Sequence, residues 1–457
     1  MNDKLERKYN LFTATCMVVG IVIGSGIFFK AQTILQKTGG NMPLGIIAWI
    51  IGGLIMMACL LTFSFMAQKI EHVNGIVDYA EALVGKKYGY YMGWFVSIIY
   101  FPSMTAALAW LSARYTLVFL TSVNPNFPLL IPVSEGGCII GPECIALTLL
   151  YLCAGFTMNT LSPKLAGKFQ TSTTIIKMIP LTLMAVIGVI YGLMNGNLAN
   201  NMVTTAVVEN VSSNPLFAAV CSTAFAYEGW IIATSINSEI QDSKRNLPKA
   251  LTIGGIIIMI TYVAYYIGVS GGATNQQLID VGPVLAYTNI FGGVLGNILN
   301  LFIAISCMGT LNGLILGTSR GIYSLAVRNT GISPKTYSQV DKVTNMPHNS
   351  AVLALTIIAA WFLYFYLSNL ACTWSGPFVF DCTELPIITI YSMYIPIFIK
   401  WIKEQKDENI IRRFILPVCA IAGSLFMVYA CYLAHGIACL WYLIVFGIIM
   451  LIGHYYY

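Results

Sequence analysis

The feature that most constrains this chain is an apolar run from Tyr9 to Phe29 that contains no Asp, Glu, Lys, Arg or His. A run of this length can cross a bilayer as one helix. Gly24, Ser25 and Gly26 lie within it, and glycine is a poor residue for a helix interior. A break at membrane depth is tolerated only where the freed backbone groups face protein, water or a ligand. The run therefore predicts a broken first span with a binding site at the break, and close helix packing by small residues is the alternative interpretation.

The electrostatics of such a break favour one kind of ligand. The first half of the helix ends in carbonyl groups with partial negative charge, and the second half begins with amide groups of partial positive charge. An α-amino acid carries the two complementary charges on one carbon atom. The break thus predicts a site for a small zwitterion.

Composition indicates an all-α integral membrane protein, because 57% of the residues are hydrophobic and only 9% are charged. The mean hydropathy is +0.76, which leaves no room for a soluble domain, so residues 1–457 are predicted to form a single transmembrane domain. Apolar windows predict twelve transmembrane helices, at about 9–29, 43–68, 90–120, 143–162, 170–194, 215–238, 248–271, 290–327, 350–369, 383–400, 413–434 and 437–454.

Basic residues predict the orientation of these spans. Most of the 24 Lys and Arg residues fall in the N-terminus and in alternate links, which places them on one side of the membrane. The exceptions are Lys30, Lys37, Arg114 and Lys177. The bias predicts a multi-pass protein of the cell membrane with both termini cytosolic. Nucleic acid is not an expected partner, because the net charge of +6 is accounted for by topology.

Cysteine and histidine residues give no sign of a metal or redox site. The twelve cysteines include no C-x-x-C motif and the four histidines are scattered, so neither metal nor cofactor is predicted. Cys138 with Cys144, and Cys372 with Cys382, fall in predicted outer loops. Each pair is compatible with a disulfide or with free thiols.

A second interruption occurs in the sixth span, where Glu228 and Gly229 stand in the middle of an apolar segment. A carboxylate at that depth is costly and predicts a functional role. Spans one and six are five apart, which is the spacing of an inverted repeat of five plus five helices. We therefore predict one repeat at 9–194, a second at 215–400, and two extra C-terminal helices within 413–454.

Three motifs carry a family resemblance, namely GIVIGSGIF from Gly20, FAYEGW from Phe225 followed by NLPKAL from Asn246, and SCMGTLNG from Ser306. They resemble the amino acid–polyamine–organocation (APC) superfamily, and within it the L-type amino acid transporter branch with its bacterial members. The resemblance covers spans one to ten in the same order. It implies a LeuT-type fold, with discontinuous helices 1 and 6, and alternating access around a central site.

The resemblance also implies a substrate site composed of Ile23, Gly24, Ser25, Gly26, Phe225, Ala226 and Glu228. In that site the substrate carboxylate lies against the amides of Ser25 and Gly26, an arrangement that suits the N-terminus of a helix. The substrate ammonium meets the carbonyls of Ile23 and Phe225. Phe225 resembles the aromatic outer gate of the family, and core packing is a second role open to the same ring.

Lys177 is a further charged residue inside a predicted span. It lies about two turns beyond Lys168, which marks the cytosolic edge. The family resemblance implies that the ammonium of Lys177 takes the place of the sodium ion of related transporters. It would then bridge span one to span eight. Ser306 and Thr310, four residues apart on one helix face, are its predicted partners. Snorkelling of Lys177 to the interface is the alternative.

Glu228 departs from the resemblance, because many L-type members carry glycine at this position. Four roles stay open for its carboxyl group: carriage of a coupled proton, pairing with Lys177, projection towards the substrate, and capping of the broken helix. These observations together predict a sodium-independent exchanger of small or medium neutral L-amino acids, and not an enzyme. A proton-coupled symporter is the nearest alternative, and a non-transporting amino acid sensor is a more distant one. The expected partners are an amino acid and the lipid bilayer; no ancillary subunit is indicated and the oligomeric state stays open.

Overall fold

The computed structural model describes residues 7, 9–70, 75–132, 140–208, 211, 213–235, 237–374 and 376–457. Within these ranges the chain is helical, and extended pairing is confined to an isolated bridge between Tyr9 and Ile240. From the N-terminus the helices are α1 (Leu11–Val22), α2 (Ser25–Lys37), α3 (Met42–Lys69), α4 (Gly75–Leu83), α5 (Lys86–Phe95), α6 (Phe101–Val123), α7 (Pro142–Leu161), α8 (Pro163–Leu183), α9 (Val189–Asn195), α10 (Asn197–Val203), α11 (Pro215–Tyr227), α12 (Ile232–Ser235), α13 (Ser243–Gly272), α14 (Asn275–Asp280), α15 (Pro283–Val327), α16 (Pro334–Tyr337), α17 (His348–Phe365), α18 (Pro386–Glu404), α19 (Leu416–His435) and α20 (Ala438–Tyr455).

Among the described residues, eleven helical segments are long and apolar enough to cross a membrane. The prediction of a multi-span, all-helical protein is therefore confirmed. The predicted span at 383–400 lies on α18, which has 19 residues but is not among the eleven. Lys400, Lys403 and Glu404 near the end of α18 lower its hydropathy. The count of twelve spans stays a prediction.

The two interruptions foreseen in spans one and six are real breaks in the helices. Ile23 has extended backbone angles (φ −73°, ψ 95°), and Gly24 (φ −129°, ψ −142°) precedes the first residue of α2. In span six, Glu228 is extended (φ −81°, ψ 168°). Gly229 follows with φ 104°, a left-handed conformation that glycine adopts without steric cost. The prediction of discontinuous first and sixth helices is confirmed.

Surrounding helices enclose both breaks. Helix α1 contacts α8, α13 and α15, whereas α2 contacts α11 and α15 on the other side of the first break. Helix α11 also packs against α3 and α19. The backbone groups that the breaks release therefore face protein rather than lipid, which is the condition for irregular backbone at membrane depth.

Two further expectations concern the outer part of the chain. The window predicted at 290–327 belongs to α15, which is kinked at Gly292 (φ 78°). Within this helix, the described stretch Leu301–Val327 is long and apolar enough to cross a membrane. Cys372 and Cys382 are free thiols, and so the second possible disulfide is not formed. Cys138 lies outside the described residues, and its pairing with Cys144 stays open.

Candidate substrate site

A small cavity of about 20 Å³ lies between the two breaks. Its wall combines backbone and side chains of the first span, the sixth span, α6 and α15. The lining residues are Ile21, Val22, Gly24, Gly26, Met104, Leu108, Phe225, Glu228, Gly229, Thr310 and Leu314. The structure thus brings Gly24, Gly26, Phe225 and Glu228, which the family resemblance groups together, to the wall of one cavity.

The first turn of α2 supplies backbone donors at this cavity. The helix begins at Ser25, and the residue before it, Gly24, has no side chain that could cap the helix. The first amides of any helix lack partners within that helix, and together with the helix dipole they favour an anion. The geometry at Gly24 and Gly26 therefore suits a carboxylate.

Gly26 also permits the close crossing of α2 and α11. A Cβ atom on Gly26 would lie 2.7 Å from the Cα atom and 3.1 Å from the Cβ atom of Ala226. Because the nearest obstacle is backbone, a side chain at Gly26 cannot be accommodated by a rotamer change. Gly26 and Ala226 are thus contact partners between the two broken spans.

We expect Gly26→Ala to lower both transport and thermal stability, because the added methyl group must push α2 away from α11. Overpacking of this kind costs about 1–3 kcal/mol. Gly447→Ala is the matched control, since a Cβ atom there would meet nothing within 4 Å. Thermal unfolding and substrate uptake of both variants are the measurements. Wild-type stability and uptake in Gly26→Ala would contradict the close crossing.

Lys177 on α8 is fully buried, and its ammonium lies at the C-terminal end of α1. Its Nζ donates to the carbonyl oxygens of Gly20 at 2.7 Å and Ile23 at 2.5 Å. It also donates to the carbonyl of Ser306 at 3.2 Å and to the hydroxyl of Thr310 at 3.3 Å. The ammonium therefore joins the broken first span to α15, and it does not snorkel to an interface. Ser306 contributes its carbonyl, whereas its own hydroxyl has no partner in the described part of the chain.

The carbonyl of Ile23 accepts from the Lys177 ammonium, and the Thr310 hydroxyl lies 3.2 Å from the same oxygen. That hydroxyl has one proton to donate, and the carbonyl of Gly20 lies slightly closer to it, at 3.1 Å. The Ile23 carbonyl is therefore already bound to a cation before the substrate ammonium that the family resemblance assigns to it.

Glu228 lines the cavity and is buried. The hydroxyl of Tyr100 donates to its Oε2 at 2.5 Å, and the hydroxyl of Tyr391 interacts with the same carboxyl group. Its Oε1 has no hydrogen-bond partner among the residues that the structure describes. Lys177 bonds to four oxygens, none of which belongs to Glu228. The interpretation of Glu228 as the ion-pair partner of Lys177 is therefore wrong.

Tyr262 is a site residue that the sequence analysis missed. Its hydroxyl lies 2.9 Å from the carbonyl of Val22 and 3.0 Å from the carbonyl of Ala226. It therefore bridges the C-terminal ends of α1 and α11, where both spans break. In the sequence, Tyr262 is distinguished only as a tyrosine within the apolar seventh span. Tyr265 and Tyr266 beside it have the same property, so the sequence does not single out Tyr262.

Buried ion pairs lie on the segments around the two breaks. Lys30 on α2 pairs with Glu384, and its Nζ lies 5.1 Å from the centre of the Phe225 ring. Arg320 on α15 pairs with Glu239, which follows α12, at 2.7 Å. Phe225, which lines the cavity, thus also contacts Lys30 of the first pair.

Two broken spans that meet at a small cavity, with the uncapped start of α2 on one side and the buried Lys177 beside the end of α1, are the arrangement of a membrane transporter. The chain belongs to the amino acid permease family, because the sequence model of that family matches residues 9–457. It is accordingly an amino acid transporter of the APC superfamily, as the sequence motifs predict.

Individual relatives agree with this assignment. The serine/threonine exchanger SteT of Bacillus subtilis is 26% identical, and the match covers 99% of this chain and 95% of that protein. The large neutral amino acids transporter small subunit 2 of Oryctolagus cuniculus is 25% identical over 69% of this chain. That match spans 57% of the relative, so this chain covers little more than half of its length.

The fold has a counterpart among solved structures. The crystal structure of MhsT in complex with L-phenylalanine aligns with a TM-score of 0.61 and covers 97% of this chain and 99% of that one. Sequence identity is 13%, and the likeness therefore concerns the fold alone. It supports the LeuT-type architecture expected from the broken first and sixth helices.

Proposed function

We propose that this protein exchanges small neutral L-amino acids across the cell membrane by alternating access, without sodium, and with both termini cytosolic. The observation that carries the proposal is the position of the Lys177 ammonium. It is bound by carbonyls of Gly20, Ile23 and Ser306 and by the hydroxyl of Thr310. These are the oxygen ligands that a hard cation prefers. A fixed cation in this position supplies the charge that a bound sodium ion would otherwise bring.

The substrate carboxylate is assigned to the amides of Ser25 and Gly26, because α2 starts there without a side-chain cap. The substrate ammonium is assigned to the end of α11, near the carbonyl of Phe225. This placement differs from the family resemblance at Ile23, whose carbonyl already accepts from the Lys177 ammonium. Phe225 then covers the bound substrate as a gate.

The rest of the cavity determines which side chain is accepted. Met104, Leu108 and Leu314 form apolar parts of the wall, and the unpartnered Oε1 of Glu228 is the polar exception. A small side chain with a hydroxyl group fits this combination. SteT, the relative named as a serine/threonine exchanger, supports the same choice.

Threonine and valine have nearly the same shape, so they test this choice directly. We expect threonine to be preferred over valine by about tenfold, because a buried acceptor left unpaired costs roughly 1–3 kcal/mol. The measurement is competition by each amino acid against labelled serine in proteoliposomes that contain unlabelled serine. Equal competition by threonine and valine would contradict a hydrogen-bonding role for Glu228.

The same vesicles test sodium independence. Uptake of labelled serine is expected to be unchanged when external sodium is replaced by choline. It is expected to disappear when the internal serine is omitted, because an exchanger needs a counter-substrate. A large loss of uptake in choline would contradict the role proposed for Lys177.

Proton-coupled symport is the second candidate function. One observation favours it, namely a buried carboxyl group, that of Glu228, at the wall of the cavity with one oxygen unpartnered in the described structure. A group in that position is suited to take up and release a proton as the site opens to each side. Uptake into empty vesicles driven by an acidic exterior would support this candidate.

A further inference from the structure

A second cluster of polar side chains lies where α11, α19 and the segment before α18 meet. Cys221 belongs to α11, Glu384 precedes α18, and His435 ends α19. One ligand atom from each of the three side chains lies within 4.8 Å of the others. Thiol, carboxylate and imidazole are the three side-chain groups that bind zinc in proteins.

The distances are close to those of a metal site. Oε2 of Glu384 lies 3.0 Å from Nε2 of His435 and 3.9 Å from Sγ of Cys221. Bonds of about 2.0–2.3 Å in a tetrahedral zinc site separate the ligand atoms by roughly 3.3–3.8 Å. Sγ of Cys431 lies 2.9 Å from Sγ of Cys221, and both residues are free thiols. Cys431 lies beside Cys221, but it is not one of the three side chains whose ligand atoms lie within 4.8 Å of one another.

We propose that Cys221, Glu384 and His435, called here the Glu384 cluster, form a zinc-binding site that ties α11 to α19. Thiolate and imidazole ligands favour zinc over magnesium or calcium. Binding requires a Cys221 thiolate and a neutral His435 imidazole, so the protons that these ligands carry on their coordinating atoms are released when the ion binds.

The neighbours of Glu384 suit this role. Lys30 pairs with Oε1 of Glu384, and the hydroxyl of Ser222 donates to the same oxygen at 3.3 Å. Oε2 is then directed towards Cys221 and His435, in the way that outer partners orient metal ligands. Lys37 lies 3.6 Å from Oε2, and its side chain is 28% exposed, which allows it to move aside.

His435 is the ligand of the cluster that lies closest to solvent. Its side chain is 16% exposed, whereas that of Glu384 is 2% exposed and Cys221 is buried. The site was invisible in the sequence because its ligands come from three distant segments.

The test uses the full-length protein in detergent, stripped of metal with a chelator and then dialysed against zinc chloride. Metal analysis is expected to find one zinc ion per chain. Cys221→Ser and His435→Ala are each expected to weaken zinc binding tenfold or more, within the range measured for lost metal-site partners. Cys59→Ser is the matched control, because Cys59 is a buried free thiol that contacts α19 through Ser424.

Cobalt offers a second readout that does not depend on variant stability. Wild-type protein loaded with Co²⁺ is expected to show a thiolate-to-cobalt charge-transfer band that zinc abolishes. Cys221→Ser is expected to lose this band, whereas Cys431→Ser, which keeps all three ligands, is expected to retain it. Zinc binding that is the same in wild type, Cys221→Ser and His435→Ala would overturn the proposal. A disulfide between Cys221 and Cys431 that persists in reductant, detected by mass spectrometry, would overturn it as well.

Discussion

Lys177→Met is expected to lower amino acid exchange by roughly a hundredfold or more. Methionine keeps the length of the side chain but removes the ammonium that donates to Gly20, Ile23, Ser306 and Thr310. Each buried acceptor left without a donor costs about 1–3 kcal/mol, and 1.4 kcal/mol corresponds to a factor of ten. The end of α1 then keeps only the Thr310 hydroxyl as a polar link to α15, and we expect the cavity between the broken spans to lose its shape.

Lys168→Met is the matched control for this change. Lys168 lies on the same helix, α8, but its side chain is exposed, and its replacement is expected to leave exchange near the wild-type rate. Labelled serine exchange in proteoliposomes and thermal stabilisation by serine in detergent are the two measurements. Wild-type exchange by Lys177→Met would show that the buried ammonium is dispensable.

Lys177→Ala gives a sharper version of the same test. Alanine removes the ammonium and most of the side chain, so the three carbonyls and the Thr310 hydroxyl face an open space that a sodium ion can occupy. We expect sodium, but not choline, to restore part of the exchange in Lys177→Ala. Sodium should have no such effect in Lys177→Met, because methionine fills the space. A rescue that does not depend on the cation would contradict the idea of a built-in replacement for sodium.

Local signals in the sequence were enough to predict both breaks. Glycines at 24 and 26, only two residues apart, and the Glu228-Gly229 pair stand inside apolar windows, where each pair disfavours an uninterrupted helix. The depth of Lys177 followed in the same way from its distance to Lys168. Such features report on one segment at a time. The two breaks could therefore be found without knowing how the segments pack.

Interactions between distant segments could not be predicted in this way. Nothing near Tyr262 indicates that its hydroxyl reaches two broken helices, and nothing near Glu384 indicates that Lys30 and His435 meet it. The sequence also could not tell that Ser306 offers its carbonyl to Lys177 instead of its hydroxyl. These details depend on helix rotation and crossing angle, which many weak packing contacts determine together.

Glu228 decides between exchange and proton symport. The structure removes Lys177 as its ion-pair partner and gives it two tyrosine hydroxyls instead, those of Tyr100 and Tyr391. The Tyr100 hydroxyl that holds Oε2 in place favours a fixed role for Glu228 in substrate selection, because Oε1 has no hydrogen-bond partner in the described structure and is left for the substrate. Gln keeps an acceptor oxygen for Tyr100, but its amide group replaces the second acceptor with a donor.

We therefore expect Glu228→Gln to retain obligatory exchange. The ratio of threonine to valine uptake should change by about tenfold, because a hydrogen bond to a charged group is stronger than one to a neutral group by about that factor. Glu228→Leu, which offers Tyr100 no acceptor, is expected to lose transport altogether. Wild-type uptake should respond weakly to a pH gradient in vesicles loaded with serine. Concentrative uptake into empty vesicles with an acidic exterior, lost in Glu228→Gln, would instead identify Glu228 as a proton carrier. The two mechanisms are separable because exchange needs internal substrate at any pH, whereas symport needs a proton gradient and no internal substrate.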